Sequence, residues 1–420
     1  MLAINGGTPY IDSKFKPYTT LGHQELDVVS EVISSGNLSG FLGAPGSKFL
    51  GGPRVLEFEA AAASKFGAKY CVSFNSWTSG LIASVGSIPG LEPGDQIITS
   101  SWTMSATAMS ILHWNAIPVF ADIDPISYCL DPVEVERLIT DRTKAILTVD
   151  IFGRSSNYRA LRDICDRHNL LLIADSAQAP GALFDGVAIN NLADIGGYSL
   201  NYHKHIQSGE GGFALTNDFD LASRMQLIRN HAESANSSES IADLSNMIGY
   251  NFRLGEIEAA IATEQLKKLD SAVNSRIEAA NRLIEGLQDL PLLQLPTQTL
   301  DRSNVFYFLP MRFNPTSNIS RDYIFSALIA EGVQGLQKSY VNVHRLPIFT
   351  KKIGYGSCGE PWKSFSSTYP NTYGDGKCPV AERSYNLEFL GIHMCSFEFD
   401  EHETHAIVGA FKKVWSETFG

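Results

Sequence analysis

The chain has 420 residues, with 33 Lys plus Arg against 45 Asp plus Glu, a formal net charge of −12, and 44% hydrophobic and 19% charged residues. That is the composition of a soluble globular protein long enough for two or three domains, and its acidic balance supplies no field for a phosphate backbone, which argues against nucleic acid as a partner. No apolar run approaches the ~20 residues that span a bilayer, which argues against a membrane. The six cysteines form no Cys-x-x-Cys pair and the first ten residues carry no basic-then-apolar leader, so buried, reduced thiols and a cytoplasmic protein are expected.

In chain order, VLEFEAAAASKFG predicts a helix from about 55, YCVSF a strand from 70, GLIASVGSI a helix and QIITS a strand. ATAMSILHWN, PVFADI, VEVERLIT, AILTVDIFG, YRALRDICDRHN and LLLIADS continue the alternation to about 176. Helix and strand in strict alternation predict an α/β fold with a mostly parallel sheet covered by helices on both faces, and ligands in such sheets sit at the carboxyl ends of the strands. A long helical pattern over 254–288 bridges to a second, smaller α/β region. There VFYFLPMRF reads as a strand, RDYIFSALIAEG as a helix closing on Gly332 and EHETHAIVGAFKKVW as the last helix. The expected division is 1–265 and 266–420, with an aperiodic, aromatic-rich loop over 338–378 near the substrate.

LLLIA delivers Asp175 at a strand end, with Gln178 three residues on. Downstream, in YSLNYHKHIQSGEGGFALT, Lys204 precedes a Gly-rich turn, and upstream SFNSWTSGL turns from strand to helix. Each alone is weak: an Asp after a strand is usually a cap, and a lone Lys is usually a solvated surface residue. Together they supply what pyridoxal phosphate needs. An amine can form a Schiff base with its aldehyde, a carboxylate can keep its pyridine nitrogen protonated, and a helix N-terminus can receive its phosphate. No His or carboxylate cluster has metal-ligand spacing.

The segments GGPRVLEFE, FADIDPISYCLDP, IADSAQAPGA, HKHIQSGEGG, GYNFRLGEIEAAI and CPVAER, in this order, resemble the DegT/DnrJ/StrS family of sugar aminotransferases, pyridoxal-phosphate enzymes of the aspartate aminotransferase fold. The resemblance implies that Lys204 forms the Schiff base and Asp175 pairs with the pyridinium nitrogen. Gln178 would contact the ring hydroxyl, Ser199, Ser76 and Thr78 would hold the phosphate, and Trp102 would stack on the ring. Asn251 would reach the phosphate of a neighbouring subunit's cofactor, which implies a homodimer with shared sites, and Arg253 in the same motif is a further candidate.

The implied reaction is transfer of an amino group, from glutamate, to a carbonyl sugar through pyridoxamine phosphate. The amino sugar would serve surface polysaccharide, lipopolysaccharide or a secondary metabolite. A nucleotide-linked ketosugar is the expected acceptor, with a free oxidised sugar acid such as 8-oxo-3-deoxyoctulosonate as the alternative. A cofactor-binding regulatory or sensor protein without turnover is the alternative of another class. His344 is a pocket candidate, and His203 and His205 read as packing beside the cofactor. Trp77 departs from the family's glycine, which predicts a differently shaped phosphate turn or a Trp77 that lines the substrate pocket.

Overall fold

Five apolar runs in the first half of the chain become strands β1 (Tyr70–Phe74), β2 (Gln96–Ser100), β3 (Ile117–Ala121), β4 (Thr143–Val149) and β5 (Leu171–Asp175), in a computed structural model that describes residues 1–233, 244–297, 299, 301–365 and 369–420. The hairpin β6 (Leu183–Phe184) and β7 (Val187–Ala188) follows, then β8 (Ile195–Ser199) and β9 (Gly212–Thr216). Among the described residues the main sheet has the order β1-β9-β8-β5-β4-β2-β3, with β9 antiparallel to both its neighbours and the remaining pairs parallel. All its strands except β9 therefore end at one edge, the edge where an open parallel sheet binds ligands.

The helices between them bury one face each. After α1 (His23–Ser35), α2 (Pro53–Phe66) starts with Pro at its first position and ends at Gly67, φ +67°, a left-handed stop that glycine adopts without strain. α3 (Trp77–Gly86), α4 (Ser105–Leu112), α5 (Pro132–Arg137), α6 (Tyr158–His168) and α7 (Phe219–Arg229) complete the layers. The interior is apolar on both faces of the sheet, with Phe58, Ile146, Leu172 and Phe213 on one side and Phe74, Leu147, Ile173 and Met225 on the other.

A buried charge fixes the strand that feeds the site. Arg229 Nη1 lies 2.5 Å from Glu59 Oε1, which also accepts from Ser73 N at 2.8 Å and Ser73 Oγ at 2.7 Å. The pair joins α2, β1 and α7 directly beneath the turn that leaves β1.

α8 (Glu256–Leu287) is one continuous helix. Its first half packs Ala259, Leu266 and Leu269 into the main core, and its second half packs Ala279, Leu283 and Leu287 into a separate one. That second core lies between α8, a smaller antiparallel sheet in the order β10 (Leu293–Gln294), β11 (Phe308–Phe313), β13 (Phe389–His393), β12 (Leu336–Gln337), and helices α9 (Arg321–Ala330) and α13 (Glu401–Phe419). The boundary expected at 265/266 thus falls inside a helix. Leu2, Ile11 and Phe15 also join the second core, where the buried Glu331 carboxylate accepts from Ala3 N and Tyr10 N and pairs with Lys413 at 2.7 Å. The first residues accordingly pack with the C-terminal unit, because that carboxylate needs their amides.

The aromatic stretch over 338–378 is ordered around short helices α10 (Pro347–Thr350) and α11 (Trp362–Phe365), with α12 (Pro379–Arg383) after it; 366–368 lie outside the described residues. It covers the outer edge of β3: Phe120 N donates to Thr372 Oγ1 at 2.9 Å and Tyr373 Oη donates to Pro118 O at 2.7 Å. A sheet edge left open is a template for association, and this segment closes it. Five of the six cysteines are buried as expected; Cys358, on this segment, is exposed.

Replacing Glu59 by Gln leaves the Arg229 guanidinium buried without its anion. A loss of about 3–5 kcal/mol in unfolding free energy is expected from denaturant titration, and a loss under about 1 kcal/mol would mean that the pair does not anchor β1.

Candidate active site

The carboxyl edge of the sheet gathers the chemistry. β1 hands the chain to Ser76, which caps α3 by accepting from Ser79 N at 3.1 Å; β2 leads to Thr103 and Met104; β5 ends on Asp175; β8 ends on Ser199, and Lys204 follows in the next turn. These residues line one cavity of about 310 Å³ together with Gln178, Glu210 and, from the second unit, Tyr307 and Tyr340. That volume is at the lower end of the ~300–1,000 Å³ typical of small-molecule sites.

Lys204 is 8% exposed, and its Nζ sits 4.6 Å above the Tyr307 ring. Among the described residues no carboxylate forms an ion pair with it. Burial pushes its ammonium down to about 8 from the ordinary 10.5, with the nearby Asp175 charge pulling in the opposite direction. Such an amine is substantially neutral at mildly alkaline pH, the condition for a nucleophile.

Three histidines surround it. His203 and His205 are pushed down to about 4 and His393 to about 3, chiefly by burial and further by the charge on Lys204. All three are neutral at pH 7. His205 Nε2 donates to Val305 O at 2.9 Å and His393 Nδ1 is 2.9 Å from Ser396 Oγ, so these rings are held as hydrogen-bonded packing.

Asp175 is fixed on both oxygens. Oδ1 accepts from Trp77 Nε1 at 2.8 Å and from Ala177 N at 3.3 Å, and Oδ2 accepts from Thr107 Oγ1 at 2.7 Å. Gln178 is clamped between Phe152 N, which donates to its Oε1 at 2.8 Å, and Tyr340 Oη, which accepts from its Nε2 at 2.8 Å. The donor set fits pyridoxal phosphate: a desolvated amine, a carboxylate held by its own donors, and the start of α3 with the Ser76 and Thr78 hydroxyls for an anion.

A family model described as the DegT/DnrJ/EryC1/StrS aminotransferase family matches residues 43–366. The chain belongs to this aminotransferase family. It is 31% identical to a putative L-glutamine:3-amino-2,3-dideoxy-scyllo-inosose aminotransferase of Micromonospora echinospora, over 98% of this chain and 96% of that one. It is 33% identical to GDP-perosamine synthase of Caulobacter vibrioides, over 67% of this chain and 74% of that one. Among solved structures it is similar to Helicobacter pylori PseC, an aminotransferase involved in the biosynthesis of pseudoaminic acid: TM-score 0.78, 25% identity, covering 96% of this chain and all of that one. The protein is a pyridoxal-phosphate-dependent transaminase.

In this aminotransferase two of the expected residues, Trp102 and His344, do not line the cavity. Trp102 is fully buried in a cluster with Tyr128, Phe389 and the cavity residue Tyr340, behind the lining, because the chain after β2 turns its ring inward against the second unit. The side chain two positions on, Met104, lines the cavity instead. His344 is also fully buried and donates to Glu382 Oε1 at 3.1 Å, a carboxylate that already gathers the amides of Lys377 and Cys378; it is a structural residue of the edge-covering segment. Trp77 lines the cavity, and the turn before it is an ordinary cap with no left-handed residue at 76–78, a shape that a tryptophan adopts as readily as a glycine. Asn251 is exposed and outside the cavity, and the Arg253 guanidinium has no partner among the described residues. Sequence reasoning missed Met104, Thr107, Tyr307 and Tyr340. Tyr340 opens the aromatic segment already singled out, whereas Tyr307 is hidden in an apolar run that reads only as a strand.

Because the Lys204 amine titrates near 8, capture of pyridoxal phosphate by the cofactor-free protein should accelerate with pH through a midpoint near 8. Rapid-mixing absorbance across pH 6–10 follows it, and a rate still rising steeply at about pH 10 would show an ordinary solvated lysine.

Proposed function

We propose that this aminotransferase converts a cyclic, polyhydroxylated ketone, a keto-sugar or its carbocyclic counterpart, into the corresponding amine with an α-amino acid of the glutamate type as donor. The observation that carries the reading is the convergence of Lys204 Nζ, Asp175 and the α3 N-terminus on one cavity at the carboxyl edge of the sheet. The relatives support the acceptor class, since those reported above are named for inosose, perosamine and pseudoaminic acid chemistry. One of them is named for L-glutamine, so the donor is glutamate or its amide.

The bound cofactor supplies an electrophilic aldehyde and an electron-accepting ring. The chain's residues do the rest. Lys204 Nζ would serve first as the covalent anchor and, once released, as the acid-base group of both halves, taking a proton from the donor Cα in the first and delivering one to the former carbonyl carbon of the acceptor in the second. Asp175 holds a proton on the ring nitrogen. The α3 N–H groups with Ser76, Thr78 and Ser199 would hold the phosphate, and Gln178, oriented by Tyr340, would hold the ring hydroxyl. Tyr307 and Tyr340 exclude water from the second unit's side.

The working form in this reading is a homodimer. Asn251 is exposed outside its own cavity, and the buried Nε of Arg253 in the same motif has no hydrogen-bond partner among the described residues, as groups that a second chain completes would. The products feed a surface polysaccharide, lipopolysaccharide or secondary metabolite.

Lys204→Ala should lower exchange of the amino group by about 10²–10⁴-fold or more while the chain still folds, as read by amine formation from a panel of cyclic ketones with glutamate or glutamine; full activity would refute the assignment. Mixing Lys204→Ala with Asn251→Ala chains tests the shared site. Hybrids should regain activity that neither variant has alone, and no recovery in confirmed hybrids would make each site self-contained.

A further inference from the structure

We infer that Trp77, seconded by Thr107, is a positioning residue that keeps the proton on the cofactor's ring nitrogen by occupying the Asp175 carboxylate with hydrogen bonds. The inference rests on the reading of Asp175 as the ring-nitrogen partner and goes beyond it, since it assigns a purpose to the departure at Trp77.

The first helical position after Ser76 points back under the sheet. Trp77 is 4% exposed, and its indole lies in a groove made by glycines on three elements. A Cβ on Gly197 would come within 1.8 Å of its Cη2, one on Gly80 within 2.5 Å of its Cε3, and one on Gly212 within 2.5 Å of the Trp77 backbone N. Gly197 is also the β8 residue paired with Asp175 of β5. The groove therefore aims the ring across β8 at the end of the neighbouring strand, and the indole N–H meets Oδ1 at 2.8 Å. Thr107, on α4, approaches the other oxygen at 2.7 Å.

An indole N–H is a donor only, so this contact has one polarity whatever the pH. Each donor on a carboxylate stabilises its charged form and lowers its appetite for a proton. Where a ring nitrogen and a carboxylate share one proton, two side-chain donors on the carboxylate leave that proton with the nitrogen. The same indole ties Asp175 to the helix whose first turn receives the phosphate, so both ends of the cofactor are registered by one rigid side chain.

The test reads the ring nitrogen itself, by ¹⁵N resonance of the holoenzyme reconstituted with ring-¹⁵N pyridoxal phosphate. Wild type should show a protonated nitrogen, and Asp175→Asn a neutral one. Trp77→Phe keeps a ring in the groove and removes the N–H, so its signal should move part-way toward neutral pyridine, with cofactor retention weakened about ten- to a hundredfold, the worth of one hydrogen bond to a charged group. Thr107→Val should move the signal in the same direction without touching the groove, and stands alone should Trp77→Phe not fold. If Asp175→Asn leaves the signal where it was, the reading of Asp175 fails. If Asp175→Asn moves it but Trp77→Phe or Thr107→Val, once folded, does not, Trp77 is packing only and this inference is overturned.

Discussion

Taking the Lys204 amine out of water without an ion pair is the constraint around which the site is arranged. A lysine ammonium is strongly hydrated, and burial favours its neutral form unless a carboxylate neutralises it. Here Asp175 is close enough to act through space, yet its oxygens are already taken by Trp77, Thr107 and Ala177. What faces the amine directly is the Tyr307 ring, a surface that tolerates a cation and makes no demand for one. The three neutral histidines extend the same principle. They fill polar space beside the lysine and add no charge that would compete for its proton.

That arrangement requires both units of the chain. Lys204 comes from the turn after β8, whereas Tyr307 precedes β11, His393 ends β13 and Tyr340 follows β12. The continuous α8, with one half in each core, holds these two sources in register. The amides of residues 3 and 10 on Glu331 bring the start of the chain onto the second unit, so its core is assembled from both ends of the sequence. A buried amine whose environment is divided in this way is sensitive to any change in how the units meet, even at positions that do not line the cavity.

The alternation from α2 to β5 was legible because each strand there is a short run of branched or aromatic residues bounded by turn formers. β8 was not, because Ile-Gly-Gly-Tyr-Ser lacks the side chains by which strands are recognised. Its glycines answer to neighbours that no local pattern announces: Asn190 sits where a Cβ of Gly196 would be, and the Trp77 indole where that of Gly197 would be. The same logic separates the two tryptophans. Both stand in turns after strands, and only the tertiary packing decides that Trp77 spans to Asp175 while Trp102 is driven into the aromatic core. Lys204 and Asp175 could be singled out because an amine before a Gly-rich turn and a carboxylate at a strand end are parts that pyridoxal phosphate needs, and the structure brings both to one cavity. His344 misled because a histidine in a polar, aromatic segment looks alike whether it faces a ligand or braces a turn.

The net charge of −12 bears on the anion that the site is read as taking. Over the surface as a whole such a charge repels phosphate, and salt screens that repulsion within roughly 10 Å. Inside the cavity the balance is local. The first turn of α3 offers unpaired N–H groups and the positive end of its dipole, and Lys204 adds a proton that its surroundings hold loosely. Asp175 is the opposing charge in the same cavity, and its donors spend that charge before an incoming anion meets it. A carboxylate engaged by an indole N–H and a threonine hydroxyl projects a weaker field toward the first turn of α3 than a free one would, so Trp77 bears on the potential at that turn as well as on Asp175.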